Sequence, residues 1–170
     1  MASTKSQDAI ALLKEDHRKV EDLFAQFEKA TGDGRKQKLA LEICKELTVH
    51  ATIEEEIFYP ALEGKVDEDL LKESFVEHDA AKVMIAEIEA GAPSDEFYDA
   101  KVKVLSEEIE HHVEEEEKRV EGLFAQARKA DVDLDELGAR MAMHKERLQA
   151  EIAAGGLPTP ETTTLDEVQV

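Results

Sequence analysis

The sequence feature that most constrains the fold is a set of apolar stripes with helical spacing, each interrupted by a histidine. Apolar residues recur every three or four positions, a period that places them on one face of an α-helix. Two stripes also contain a glutamate four residues after the histidine. The stripes are Ile10, Leu13, His17, Val20, Phe24, Phe27; Ile43, Leu47, His50, Glu54, Ile57; Leu71, His78, Ile85; and Tyr98, Val102, Leu105, Ile109, His112, Glu116, Val120, Leu123.

Turn and cap signals divide the chain into helices with short connections. We expect helices over about residues 8–31, 35–59 and 67–90, a long fourth helix capped by Ser94 and extending through Leu123, and a fifth over 133–153. Pro60 should end the second helix, because proline removes a backbone donor. The prediction is an all-α, up-down four-helix bundle with an additional C-terminal helix. One domain should span residues 1–155, and the Pro- and Thr-rich residues 156–170 should form a disordered tail.

Charge and cysteine content limit the possible partners and compartments. The formal net charge is −20, which should repel nucleic acid and anionic lipid. The first residues carry no apolar signal core, and no apolar run is long enough to span a membrane. Cys44 is the single cysteine, so no intrachain disulfide can form. We therefore expect a cytoplasmic protein, monomeric or weakly homo-oligomeric, without nucleic-acid or membrane partners.

The polar residues inside the apolar stripes predict a metal site. Burying four imidazoles and two carboxylates without partners would cost several kcal/mol, on the order of a few for each unpaired group. Residues i and i+4 share a helix face, so each His-x-x-x-Glu pair can reach one point. Imidazole and carboxylate together suit iron or manganese, and also zinc. The predicted ligands, which repeat as His and then His-x-x-x-Glu in each half of the chain, are His17, His50, Glu54, His78, His112 and Glu116.

Several other polar residues have competing interpretations. A single inward histidine is more often a packed core residue than a ligand, and we expect such a packing role for His144 and a small core role for Cys44. His111 should lie at the rim of the site. Ideal helical angles place Tyr59 away from the ligand face, which favours packing, whereas a distorted last turn would swing its phenol toward a metal. Glu55 and Glu117 could accept hydrogen bonds from ligand imidazoles.

The sequence resembles the hemerythrin-like (HHE cation-binding) proteins. The resemblance implies a four-helix bundle around a non-haem di-iron centre with an oxo or hydroxo bridge, with manganese or zinc as the less favoured metals. It covers about residues 10–125. The matching segments are Asp16-His17, His50-Ala51-Thr52-Ile53-Glu54-Glu55, Phe58-Tyr59-Pro60, Glu77-His78 and His111-His112-Val113-Glu114-Glu115-Glu116-Glu117.

The chain departs from the oxygen-carrying members of that family at two positions. Lys82 stands where they have a further histidine, and Glu116, four residues after His112, replaces an aspartate five residues after the last histidine. One lost imidazole would open a coordination position. This favours chemistry on peroxide (catalase-like), O2 or NO over reversible oxygen transport. The alternatives are a non-catalytic O2, NO or iron sensor, an iron-binding store, and a structural zinc bundle.

Overall fold

The computed structural model describes residues 7–166, which are α-helical apart from short connections and the C-terminal segment. One turn, Glu54–Phe58, is π-helical and continues directly from the second helix. The α-helices are α1 Ala9–Lys29, α2 Asp33–Ile53, α3 Tyr59–Leu62, α4 Glu68–Ala90, α5 Tyr98–Glu117, α6 Leu123–Lys129 and α7 Leu134–Gly155.

The four long helices α1, α2, α4 and α5 form the predicted up-down bundle. Each packs against two others around the bundle: α1 with α2 and α5, and α4 with α2 and α5. Helix α7 lies outside this set in contact with α1 and α2, as expected for an additional C-terminal helix. Among the helices of residues 7–166, none combines the length and apolar character that crossing a bilayer requires.

Aspartate caps start three of these helices close to the predicted positions. The side chain of Asp8 accepts the amide of Ala11, and the side chain of Asp133 accepts the amide of Glu136. Asp67 accepts two amides at the start of α4. A carboxylate at this position satisfies backbone donors that have no partner within the helix and interacts favourably with the helix dipole.

The predicted end of the second helix at Tyr59 is wrong. The helical path continues through the π-turn into α3, which ends at Leu62. Pro60 is tolerated because it occupies the first turn of α3, where a missing N–H breaks no α-helical hydrogen bond. The π-turn before it shifts the hydrogen-bond spacing, with the amide of Tyr59 bonded to the carbonyl of Glu54.

The predicted fourth helix is also wrong at both ends. It begins at Tyr98 rather than near Ser94 and ends at Glu117, and Val120 is 68% exposed instead of lying in the core. Gly122 explains the break, because a Cβ there would lie 2.5 Å from the carbonyl oxygen of Lys118. The backbone therefore folds back tightly, and Leu123 begins the separate helix α6.

Two apolar layers fill the bundle. The first contains the C-terminal half of α1 and the N-terminal half of α2, together with parts of α4 and α5. The second contains the start of α1, the π-turn region and side chains of α6 and α7. The histidines and glutamates that interrupt the apolar stripes lie between these two layers. They form a polar layer with an apolar core on each side.

Residues 156–166, the described part of the segment after α7, form no helix but contact the bundle. The backbone amides of Thr163, Thr164 and Leu165 donate to the carboxylate of Asp79 in α4. The expectation of disorder over 156–170 does not fit these residues, because a buried carboxylate provides them with a fixed acceptor. Residues 167–170 of the expected tail lie outside the described residues.

Candidate metal centre

All six predicted ligands meet in the polar layer between the two apolar cores. They come from all four long helices and from the first residue of the π-turn. Each is at most 6% exposed, and Glu54 is fully buried. Such burial of titratable groups requires compensating charge or hydrogen bonds. The helical periodicity that places them inward therefore also brings them together.

One histidine pair lies on the α1–α2 side of the layer. The Nε2 atoms of His17 and His50 are 3.2 Å apart. Oε2 of Glu116 lies 3.3 Å from the first nitrogen, and Oε1 of Glu54 lies 3.2 Å from the second. These four atoms converge closely enough to hold one cation.

The other histidine pair, on the α4–α5 side, is arranged similarly, but only Glu54 joins its two histidines in a group that could share one cation. Nε2 of His78 and Nε2 of His112 are 3.1 Å apart. Oε2 of Glu54 lies 3.1 Å from His78, and Oε1 of Glu116 lies 3.4 Å from His112. Each glutamate thus directs one oxygen to each histidine pair, the geometry of a carboxylate that bridges two cations.

The π-turn brings Tyr59 into this second group. In a regular α-helix, Tyr59 would lie about 140° around the axis from Glu54, whereas one inserted residue reduces the angle to about 40°. Its hydroxyl donates to Oε1 of Glu116 at 2.8 Å and lies 3.1 Å from Oε2 of Glu54 and 3.3 Å from Nε2 of His78. Burial and the two carboxylates raise the pKa of Tyr59 well above its ordinary value. Of the two interpretations left open by the sequence, the inward phenol is the one observed.

Each of the four histidines has a carboxylate beside its Nδ1 atom. A hydrogen bond at Nδ1 fixes the ring orientation and directs the Nε2 lone pair toward a metal. The sequence indicated Glu55 and Glu117 for this role but not the other two, whose only signal is that each directly precedes a histidine. Hydrogen bonds of this kind join His78 to Glu55 at 2.9 Å, His50 to Asp16 at 3.3 Å and His112 to Glu77 at 2.5 Å. Glu117 lies 3.4 Å from Nδ1 of His17, which has no hydrogen-bond partner among the described residues.

A cation or a further histidine contacts each of these outer carboxylates. Lys82 contacts Glu55, the carboxylate beside His78, at 2.9 Å. Arg18 contacts Glu117, the carboxylate beside His17. Lys145, from the additional helix α7, contacts Asp16, the carboxylate beside His50. His111, 60% exposed at the rim as predicted, lies 3.5 Å from the partner of His112. The layer is therefore surrounded by alternating negative and positive groups.

The buried carboxylates raise the pKa values of His50 and His112, which favours the positively charged form of these two rings. Burial alone would lower the pKa of His50, but Glu54 and Asp16 outweigh burial and raise it to about 10. The pKa of His112 is likewise raised against the effect of burial, mainly by Glu116. The pKa of Glu116 is lowered to about 2, because its histidine partners outweigh burial and the charge of Glu54.

The donor atoms also fit a metal on geometric grounds. A cation with bonds of about 2.1 Å and right-angled or tetrahedral ligand angles separates its donors by about 3.0–3.4 Å, the spacing of these groups. Oε1 of Glu54 and Oε2 of Glu116 are buried without a hydrogen-bond partner among the described residues. Both face the His17–His50 pair, where a cation would satisfy them.

The remaining candidates lie outside the layer. Nε2 of His144 lies 2.5 Å from a carboxylate oxygen of Glu56, and the His144 side chain is only 10% exposed, so it combines a largely buried position in α7 with one polar contact. Cys44 is fully buried in the core, and burial raises the pKa of its thiol to about 12. A third group that could share a cation, Glu73 with Glu77 and His111, lies toward the exposed α4–α5 surface.

A small apolar cavity adjoins the layer. Its volume is about 60 Å³, enough for a few water-sized molecules, and all four inward histidines are among its lining residues. Most of the remaining lining is apolar, including Val20, Leu47, Ile85 and Ile109. The cavity thus provides space for a small ligand beside the histidines.

Comparison with known proteins agrees with this architecture. A relative named DNA nickase, from Nostoc sp., is 32% identical over 111 residues, which are 65% of this chain but 31% of that protein. The crystal structure of a hemerythrin HHE cation binding domain-containing protein from Mycobacterium kansasii superposes with a TM-score of 0.71 at 23% identity, covering 88% of this chain and 94% of that chain. The sequence model of the hemerythrin HHE cation binding domain matches residues 8–124, well over half of the chain. The chain therefore belongs to the hemerythrin HHE cation-binding family.

Proposed function

We propose that this protein holds two iron ions in the buried polar layer and reacts with small oxidants. The observation that carries the proposal is the position of Glu54 and Glu116, each with one oxygen toward each histidine pair. His17 and His50 would hold one ion, and the pair on α4 and α5 would hold the other. Imidazole and carboxylate donors together suit iron as well as manganese and zinc, and the resemblance to the hemerythrin-like proteins favours iron among them.

Two groups of residues would prepare the layer for this role. Asp16, Glu55 and Glu77 would keep the ring protons of His50, His78 and His112 on Nδ1 and leave Nε2 free to bind a cation, and Glu117 lies near Nδ1 of His17. The apolar cores above and below exclude water from the donors, which strengthens every electrostatic interaction between them. Iron, when bound, would supply reversible one-electron chemistry between its ferrous and ferric states.

Tyr59 would modulate the second ion. The phenol oxygen lies 3.3 Å from Nε2 of His78 and 3.1 Å from Oε2 of Glu54. It can therefore act as a ligand to the second ion or as a hydrogen-bond donor to the two glutamates. The first group has no such phenol, which leaves it with fewer protein donors. A phenolate on ferric iron would produce a visible charge-transfer band, and Tyr59→Phe should abolish that band while retaining the metal.

The size and chemistry of the cavity favour peroxide, O2 or NO as the reacting molecule. A cavity of about 60 Å³ accommodates only a few heavy atoms. Peroxide decomposition, two molecules giving two waters and one O2, is the leading activity because it needs no further reductant. Lys82, in α4, stands where the oxygen-carrying hemerythrins have a further histidine, which favours such chemistry over simple oxygen transport.

Turnover is tested by adding peroxide to the iron-loaded protein. An oxygen electrode measures oxygen release, and a spectrophotometer measures the change in absorbance. Steady oxygen evolution supports the enzyme. A single stoichiometric colour change supports instead the alternative, a sensor or iron-binding module without turnover. His144→Ala is the matched control for His50→Ala, since His144 lies in α7, outside the polar layer, and His50 lies within it.

Metal identity and biological context are further parts of the proposal. Elemental analysis of protein from cells grown with ordinary iron distinguishes iron from manganese and from a structural zinc bundle. The net charge of −20 disfavours DNA as a partner, although one relative is named a nickase. A cytoplasmic, monomeric or weakly associating protein of one domain over residues 1–155 remains our expectation.

A further inference from the structure

The chain after α7 crosses the bundle as a strap, residues 157–166, that is held at one buried carboxylate. Asp79 accepts the amide of Thr163 at 2.9 Å, the hydroxyl of Thr164 at 2.6 Å and the amide of Leu165 at 3.0 Å. Successive amides that converge on one anion form a backbone nest, an arrangement that binds negative charge well. Lys82, 3.4 Å from the same carboxylate, adds a positive charge to this latch.

The same strap covers the cavity beside the histidines. Pro160 is one of the residues that line the cavity, and Leu157 packs against the apolar core. Half-buried lining residues mark where the cavity approaches the surface, and Thr48, Ala51 and Lys82 are among them. They belong to α2 and α4, which are neighbours in the bundle. Three of the four half-buried helical residues of the lining are on α2 and α4, the fourth being Ile109 of α5, so we place the cavity mouth between α2 and α4, with Pro160 across it.

We propose that the strap is the selectivity gate of the metal centre and that Asp79 is its latch. The proposal rests on the proposed function, because it concerns which molecules reach the metal. With the strap latched, entry is restricted to molecules of a few heavy atoms that pass Pro160. When the latch opens, the mouth between α2 and α4 widens, and larger molecules and additional water can approach the histidines.

Thr164→Pro tests the latch from the strap side, away from the histidines. Proline removes an amide donor and the threonine hydroxyl together, and it leaves Asp79 unchanged. Thr159→Ala is the matched control, because Thr159 is an exposed strap residue. Hydrogen exchange of the Thr163 and Leu165 amides in metal-free protein reports whether the strap is latched. The association rate of azide with the ferric, iron-loaded protein reports access to the centre.

We expect protected amides and slow azide association in the parent and in Thr159→Ala. In Thr164→Pro, the amides should exchange freely and azide should associate about tenfold faster, since the latch consists of several hydrogen bonds to one charged group. Released amides with an unchanged azide rate would overturn the gate. Unprotected Thr163 and Leu165 amides in the parent would overturn the latch.

Failure of the proposed function is distinguishable from failure of the gate. A parent protein that takes up no iron contradicts the proposed function, and access can then be followed in metal-free protein. Diethyl pyrocarbonate modifies accessible imidazoles, and mass spectrometry locates the modification. Faster modification of His78 in Thr164→Pro supports the gate, and equal rates of His78 modification in all three proteins contradict it.

Discussion

Tyr59→Phe in the metal-free protein should lower stability by an amount that the contacts of the phenol allow us to calculate. The Tyr59 hydroxyl is buried and donates to Glu116 at 2.8 Å, with Glu54 3.1 Å away. Both carboxylates have pKa values lowered by their histidine partners, so they are ionised at neutral pH. The substitution therefore removes a donor from buried charged acceptors while leaving the ring in place.

The expected loss follows from the strength of such a bond. A hydrogen bond to a charged group contributes about 1.5–3 kcal/mol, and each kcal/mol changes the melting temperature of a domain of this size by about 2–4 °C. Tyr59→Phe should thus lower the melting temperature of the metal-free protein by about 3–12 °C. Differential scanning calorimetry of the two metal-free proteins measures this difference.

Tyr98→Phe provides the matched control. Tyr98 is 2% exposed, and its hydroxyl has no hydrogen-bond partner among the described residues. Removing an unpaired buried hydroxyl should leave stability unchanged or raise it. An equal loss in both variants would show that ring packing rather than the Glu116 contact causes the effect. An unchanged melting temperature for Tyr59→Phe would refute the assigned hydrogen bond.

Three further predictions concern metal and protons. Metal-loaded protein should melt at a higher temperature than metal-free protein, because a ligand that binds only the folded state stabilises it; equal values would count against a core site. The metal-free protein should also lose stability as the pH rises from about 6.5 toward 10. The pKa of His50 is raised to about 10 in the folded protein, against about 6.5 in the unfolded chain. The stability that the charged ring contributes is therefore fully present below about pH 6.5 and is lost as the ring deprotonates. Melting curves that are flat across this range would contradict that assignment. His50→Ala and His112→Ala should lose metal in elemental analysis, whereas His144→Ala should retain it; full retention in the first two would exclude the predicted site.

The bundle and the six inward residues could be predicted because periodicity alone places them. His17, His50 and His112 interrupt otherwise apolar stripes, and helical spacing of three and four residues needs no tertiary information. The same reasoning gives the caps at Asp67 and Asp133, since a carboxylate before a helix satisfies local donors. These features depend on contacts within a single helix.

The features that the sequence did not predict depend on changes in the backbone path. The inward position of Tyr59 requires a π-turn, which a regular period of 3.6 residues does not anticipate. The end of α5 depends on a close backbone approach at Gly122, although the apolar stripe continues past it. The strap over 157–166 depends on Asp79, a residue about 80 positions away whose burial is visible only in the folded chain.

The metal content of the native protein tests the central claim most directly. Protein with all six predicted ligands intact should saturate at two metal ions per chain, measured by elemental analysis after titration and removal of excess metal. The two histidine pairs and the two glutamates that face both of them require this number. Saturation at one metal ion per chain, or binding that survives substitution of both Glu54 and Glu116, would contradict a two-metal centre.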